Sequence, residues 1–428
     1  MTWHRAPRRD KLRRCAPTRR AAAPPEVLLS RSRTSRRAFV AVLGVVGVAA
    51  TACASSAPQN SLNPKGPESR YIDHLFFPVG MIAGAILVFV SCMVVYCVIR
   101  FRARSEDDSP KQTHGSTPLE ITWTIIPLLL MFGVASLSVI GIAHLYRNPK
   151  GQRITFVPAV AGGAPSVQGK VLEVHVIGHR WWWEFDYPGL GTMQDQFLST
   201  GEQPDTALVT AGELHVPSGV MVRLDITSNE PLLSPENKPG HPGPGVEHNF
   251  WVPELAGKIY AIPGHITHLN LEADDKAITD GHPITYDGQC SEFCGISHAN
   301  MRIKVVAESP ADFATWVANQ QVKRSPVAAT TQYTAPQVYA GYTLFNGGGT
   351  CATCHTVQGT PAAGQVGPNL THLQARGYFA GDIFALNDNN LRTWLRNPQA
   401  AKPGANMRIP KLTEPQITSL IAYLDTLK

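Results

Sequence analysis

The chain has 428 residues, 43% hydrophobic and 16% charged, with a formal charge of +6. That length has room for two or three domains. Residues 1–52 hold twelve Lys/Arg and two Asp/Glu, so residues 53–428 carry −4. The basic balance therefore belongs to a leader, and nucleic acid is not an implied partner.

Residues 1–37 are rich in Arg, Pro and Ala, and read as a long signal n-region or as sequence upstream of the true start. Ala38 to Ala50 is an apolar run of thirteen, too short to span a bilayer. It follows Ser35-Arg36-Arg37, which has twin-arginine character, although arginine pairs also arise by chance in such a leader. Ala50-Thr51-Ala52-Cys53 reads either as a small-residue cleavage site or as a lipobox with Cys53 as the lipidated new N-terminus. Residues 53–70 then form a tether.

Leu75 to Ile99 is twenty-five residues without a formal charge, long enough to cross a membrane with some tilt. Arg100, Arg102 and Arg104 follow, which places the loop to Pro118 on the cytoplasmic side by the positive-inside rule. A second span from Ile121 to Leu145 completes a transmembrane hairpin over residues 71–146, with both outer ends outside. Trp123 suits the membrane interface. Glu120 suits a helix N-terminus, where the macrodipole favours an acid. Cys92 and Cys97 fall within the first span and read as packing residues.

From Gly169 the hydrophobic period becomes two. Leu172, Val174 and Val176 alternate with Glu173 and His175, and Val222, Leu224 and Ile226 with Arg223 and Asp225. Met301, Ile303 and Val305 alternate with Arg302 and Lys304. Such strands with Pro/Gly-rich turns predict an all-β sandwich or barrel over residues 147–321. Residues 178–187 are dense in aromatics, which reads as a core and interface cluster.

Between Cys290 and Met301, twelve residues carry two thiols, the imidazole of His298 and a thioether. Soft sulfur with imidazole suits copper. Cys290 and Cys294 alone could equally form a disulfide in an oxidising compartment. His248, on the short aromatic stretch His248-Asn249-Phe250-Trp251, supplies another imidazole and tilts the reading toward metal.

Residues 322–334 are a polar, Pro-containing linker, and residues 335–428 a separate all-α module. Cys351-Ala352-Thr353-Cys354-His355 is the c-type haem attachment motif, with zinc or redox use as its alternatives. Beyond Cys354 the chain has one methionine, Met407, and one other histidine, His372. His372 lies in the segment expected on the proximal side, which leaves Met407 as the sixth ligand; His/Met ligation raises the potential. Thr413-Glu414-Pro415-Gln416 is a capping box, and Ile417, Leu420, Ile421 and Leu424 share one face of the closing helix.

Gly288-Gln289-Cys290-Ser291-Glu292-Phe293-Cys294-Gly295-Ile296-Ser297-His298-Ala299-Asn300-Met301, with the upstream His248-x-Phe250-Trp251-Val252-Pro253, resembles subunit II of haem–copper cytochrome c oxidases. The opening of the second span, Leu119-Glu120-Ile121-Thr122-Trp123, and the segment Trp181-x-Trp183 resemble the same family. Gly367-Pro368-Asn369-Leu370 resembles the stretch of small class I cytochromes c whose proline carbonyl fixes the proximal histidine. The resemblance implies a cupredoxin-like Greek-key barrel holding the dinuclear copper centre CuA. Cys290 and Cys294 would bridge two coppers, His248 and His298 would each cap one, and Met301 and the Glu292 carbonyl would complete the set. It further implies Trp181 as the point where electrons enter, Glu120 near the start of a proton path into subunit I, and Glu292 as a ligand to an interfacial Mg²⁺. Tyr260 stands where many relatives carry an acid, and Pro231 to Gly245 looks like an insertion. The implied partners are subunits I and III, cytochrome c or a bc-type complex as donor, and the lipid of a bacterial plasma membrane, with both C-terminal domains outside. A CuA-bearing nitric oxide reductase subunit and a tethered copper-delivery protein remain as rival readings. A quinol oxidase subunit is disfavoured by the four copper-binding side chains.

Overall fold

A computed structural model of the chain describes residues 57–102, 105, 112, 114–160, 163–194, 206–228, 246–275, 278, 282–347 and 351–428. The leader, Cys53, Arg104 and the insertion 231–245 lie outside the described residues.

Two helices, α1 (Pro67–Arg100) and α2 (Thr117–Leu145), are each long and apolar enough to cross a membrane. Helix α1 begins at Pro67, inside the expected tether, because its first turn is tied to the β domain. Proline at N1 costs no hydrogen bond. The Ser69 hydroxyl donates to the Glu254 carbonyl at 2.8 Å. The Arg70 guanidinium grips both Asp274 oxygens, at 2.5 and 2.9 Å. At the end of α2, Asn270 donates to the carbonyls of Leu145 and Arg147, at 3.1 and 2.7 Å, satisfying acceptors that a helix terminus leaves open. The helices meet at this outer end, where Tyr71 stacks on His144 with ring centroids 4.0 Å apart.

The middle of the chain forms two five-stranded sheets packed face to face, a cupredoxin-like barrel. The first has the order β10-β7-β3-β4-β5, built from β3 (Val171–His179), β4 (Trp182–Gln194), β5 (Thr206–Ala211), β7 (Met221–Ser228) and β10 (Thr267–Leu271). The second has the order β6-β12-β11-β8-β9, from β6 (Glu213–Pro217), β8 (His248–Trp251), β9 (Lys258–Ala261), β11 (Ile284–Cys290) and β12 (Arg302–Glu308). A hairpin of β1 (Thr155–Val157) and β2 (Ser166–Gln168) lies at the start. The alternating positions behave as their period demands: Leu172, Val174, Val176, Val222, Leu224, Ile226, Ile303 and Val305 are buried in one core with Trp183, Phe185 and Phe250. Sequence reading missed α3 (Pro310–Gln320), which Ser309 caps and which buries Phe313 and Val317.

The C-terminal module has its own core, of Phe345, Leu391, Leu395, Ile417, Leu420, Ile421 and Leu424 among others. It contains α4 (Thr331–Thr334), α5 (Pro336–Asn346), a two-stranded turn of β13 (Tyr378–Phe379) and β14 (Phe384–Ala385), α6 (Asp388–Arg396), α7 (Pro398–Ala401) and α8 (Glu414–Leu424). Thr413 caps α8, and Gln416 Oε1 accepts from the Thr413 N–H at 2.8 Å, the reciprocal pair expected of a capping box. The linker lies along this module, with the Arg324 N–H bonded to the Gln358 carbonyl.

Candidate metal and haem centres

Strand pairing brings the soft ligands together. β11 pairs antiparallel with β8, setting Cys290 opposite Phe250 and thus near His248. The loop after Cys290 closes on itself, because the Cys290 N–H donates to the Met301 carbonyl at 2.9 Å. His298 sits on one 3₁₀ turn of that loop. The two sulfurs are 3.9 Å apart, and His248 Nδ1 is 3.9 Å from Cys290 Sγ and His298 Nδ1 3.6 Å from Cys294 Sγ. The Glu292 carbonyl is 3.3 Å from Cys290 Sγ, and Met301 is fully buried beneath.

These distances test the fit of copper. A disulfide needs sulfurs about 2.05 Å apart, so Cys290 and Cys294 are two free thiols. The gap suits an ion about 2.3 Å from each sulfur, the usual thiolate distance of a first-row metal. The hydrogen bond from Cys294, and then that to His248, draws the Cys290 thiol below the ordinary thiol range, while the Cys294 thiol is pushed up by donating to it. Metal binding takes both sulfurs as thiolates and would release the protons they hold.

The second centre is a cavity of about 600 Å³, in the range of small-molecule and cofactor sites. Cys351, Cys354, His355, Pro368 and Met407 line it together with Leu391, Leu395, Leu420 and Leu424. The motif is a tight turn, with the His355 N–H on the Cys351 carbonyl at 2.9 Å. His355 Nδ1 is 2.8 Å from the Pro368 carbonyl, which fixes the ring and leaves Nε2 for a metal. A Cβ at Gly367 would lie 2.6 Å from the imidazole, so this position must be glycine for the ring to sit there. Burial holds His355 below its ordinary range, in the neutral form a metal needs. The donors and the apolar walls fit a covalent haem. Trp394 donates its indole N–H to Met407 Sδ at 3.2 Å, a contact with no local sequence signal. His372 does not line the cavity; its Nδ1 is 2.9 Å from the Lys428 carbonyl.

The barrel forms part of this cavity's wall through His179, Arg180, Trp181 and Trp182. Trp181 is 8% exposed, and its indole N–H donates to the Cys294 carbonyl at 3.0 Å. One residue therefore borders the haem cavity and is bonded to the copper loop. Elsewhere along the junction, Asn369 donates to the Val209 carbonyl, and Glu213 accepts from the N–H groups of Gly377 and Tyr378 at 2.8 and 3.0 Å.

Behind Glu213 lies buried His215, 2.9 Å from Glu308 and 3.7 Å from Glu213. Burial alone would lower its pKa, but the two carboxylates outweigh burial and raise it. The folded state therefore holds this proton more tightly than the unfolded chain does. The stabilisation is whole below the ordinary imidazole value, about 6.5, and is lost as pH rises through the higher folded value. Thermal melts of the full chain in detergent should show this decline. His215→Gln should flatten it and cost about 3 kcal/mol, the scale of leaving a buried charge without its partner. An undiminished pH dependence in the variant would assign the proton elsewhere.

Glu120 lies exposed in the first turn of α2. The Glu292 carboxylate receives the Tyr260 hydroxyl, which raises the phenol's pKa. A second set of donors, Glu173, His175 and Asp225, lies on the first sheet, but its carboxylates are paired with Arg153 and Arg223.

Two membrane helices, a cupredoxin-like barrel and a cytochrome c module define a subunit of a haem–copper oxidase. Residues 59–140 match the family described as cytochrome c oxidase subunit II, transmembrane domain, residues 172–308 its periplasmic domain, and residues 338–428 cytochrome c. The chain is 31% identical over 382 residues to cytochrome c oxidase subunit 2 of Alkalihalophilus pseudofirmus, covering 88% of this chain and 93% of that one. It is 30% identical over 334 residues to the subunit of the same name from Bacillus sp. strain PS3, covering 77% and 80%. Among solved structures, the periplasmic domain of subunit II of cytochrome oxidase from Bradyrhizobium japonicum is 25% identical, with a TM-score of 0.25, covering 35% of this chain and 92% of that one. The chain belongs to the cytochrome c oxidase subunit II family, in a form with a C-terminal cytochrome c domain. Membership implies subunit I as its partner.

Proposed function

We propose that the chain carries electrons from an external donor, cytochrome c or a bc-type complex, to a catalytic subunit I that reduces dioxygen to water. Cys351, Cys354, His355 and Met407 would hold haem c. His248, Cys290, Glu292, Cys294, His298 and Met301 would hold the dinuclear copper centre. Bound there, the two groups supply one-electron carriers. The observation that carries this reading is Trp181, which forms part of the haem cavity's wall and is hydrogen-bonded to Cys294.

The chain's own residues do the rest. Pro368 orients the His355 ring, Trp394 braces the Met407 sulfur, and the Met301 carbonyl pins the copper loop at Cys290. Covalent fusion makes each haem-to-copper encounter intramolecular. On the same reading the hairpin crosses the bacterial plasma membrane with the barrel and haem module outside, subunit III adjoins the complex, and Glu120 faces the proton path of a proton-translocating subunit I. An interfacial Mg²⁺ would compete with Tyr260 for the Glu292 carboxylate.

Metal and haem analysis of the purified oxidase complex tests this. The expected result is two subunit II coppers retained through turnover per covalent haem, with Mg²⁺ present and lost in Glu292→Gln. Anaerobic reduction of the haem should be followed by bleaching of the copper band. A reduced haem beside a copper band that never changes would refute the relay, and copper lost during turnover would indicate delivery.

A further inference from the structure

The loop that would carry the sixth haem ligand also grips the copper site. Three consecutive residues, Lys402, Pro403 and Gly404, do this. The Lys402 side chain is 3% exposed, and its Nζ donates to the Trp181 carbonyl at 2.6 Å and the Ala380 carbonyl at 2.7 Å. The Pro403 carbonyl accepts from the hydroxyl of Ser297, on the copper loop, at 2.6 Å. Gly404 lies against the Trp181 ring so closely that a Cβ there would be 3.2 Å from it. Two residues further on, Asn406 donates to the Arg180 carbonyl at 3.2 Å, and Met407 follows at the cavity.

The carbonyl that Lys402 ties to Trp181 belongs to a costly turn. Ala380, Gly381 and Asp382 have φ of 59°, 76° and 60°, three left-handed residues in succession. Left-handed backbone is unfavourable for a non-glycine residue. Such a turn persists only where its surroundings over-determine it. Here Lys402 holds the Ala380 carbonyl and the Arg302 N–H, next to Met301, holds the Gly381 carbonyl at 3.0 Å. A Cβ at Gly381 would fall 2.5 Å from Lys402 Nζ and 2.6 Å from the Trp181 carbonyl, so the approach is as close as backbone permits. Burial lowers Lys402 to about 7, and an amine keeps two N–H donors for the two carbonyls in either protonation state.

We propose that Lys402 is a positioning residue of the haem-to-copper electron path, fixing the Trp181 indole and the copper loop against the loop that carries Met407. The proposal rests on the relay read above. In it one electron leaves ferrous haem and reduces the oxidised copper pair by one.

The test is the rate of that transfer in the full oxidase complex after rapid photochemical reduction of haem c. It is read alongside both midpoint potentials and both absorption spectra. If the unaltered complex does not transfer, the relay itself fails. If it does, Lys402→Met should slow transfer by about tenfold, since a misplacement of ~1 Å at a reacting pair can cost up to ~10²-fold. The difference between the two potentials should stay unchanged. A Met variant as fast as the unaltered complex would overturn the proposal. Should Lys402→Met fail to assemble, Ser297→Ala loosens the same loop from the copper side. It should slow transfer with the spectra intact, and an unchanged rate there would equally overturn it.

Discussion

Replacing Cys294 by serine should abolish the near-infrared band of the copper centre and leave the haem c spectrum intact. The substitution removes one of two sulfurs 3.9 Å apart and puts a hard hydroxyl where a soft thiolate belongs. Losing a mere outer-shell partner already costs ~10–100-fold in metal affinity, so loss of a shared ligand should exceed about a hundredfold. The haem module should be spared because its core is a separate cluster, built on Ile417, Leu420 and Leu424. Copper content and the near-infrared spectrum of the purified variant decide the matter. A band of unchanged position and strength would mean that Cys294 is not a ligand.

Met407→Ala should convert haem c to a high-spin form and lower its midpoint potential. Axial ligands move haem potentials over ~0.8 V, and a fall on the order of 100 mV is expected once the thioether is gone. Met407 lines the cavity, and its sulfur receives the Trp394 indole N–H, which aims it. His372 offers no substitute from within the cavity, being buried against the Lys428 carbonyl and the Arg324 side chain. Redox titration with visible spectra checks this. A low-spin haem at its original potential would require a sixth ligand other than Met407.

Much of this architecture was legible in the sequence because its causes are local. The copper loop concentrates its donors within twelve residues, and only two residues separate the haem thiols. Stretches of the barrel strands follow a period of two that burial obeys, as over Met221 to Ile226 of β7. Helix α3 left a signal that went unread: Ser309 as a cap, with Phe313, Trp316 and Val317 at helical spacing. The early start of α1 depends on Glu254 and Asp274, some two hundred residues away, which no local pattern announces.

The docking of the haem module was illegible for a different reason. Four of its ties end on main-chain carbonyls, those of Trp181, Val209, Arg180 and Pro403. Every residue carries such an acceptor, so the acceptor leaves no trace in residue type. Lys402, set between Ala401 and Pro403 in a short loop with Gly404, reads as a surface lysine. Only the fold shows it buried between two domains.

The ties from Ser69, Arg70 and Asn270 at the outer ends of both helices bear on how the molecule meets lipid. At about 1.5 Å per residue, the 34 residues of α1 make a rod of ~51 Å, against a hydrocarbon layer of ~30 Å. The barrel is fastened to the top of that rod, so its standing height above the bilayer is set by the chain and not by acyl length. A thicker or thinner membrane must then be accommodated at the opposite end. There Arg100 and Arg102 have side chains long enough to follow the phosphate plane as it moves. A barrel so fastened would keep its altitude while the leaflet at the far end took up the difference.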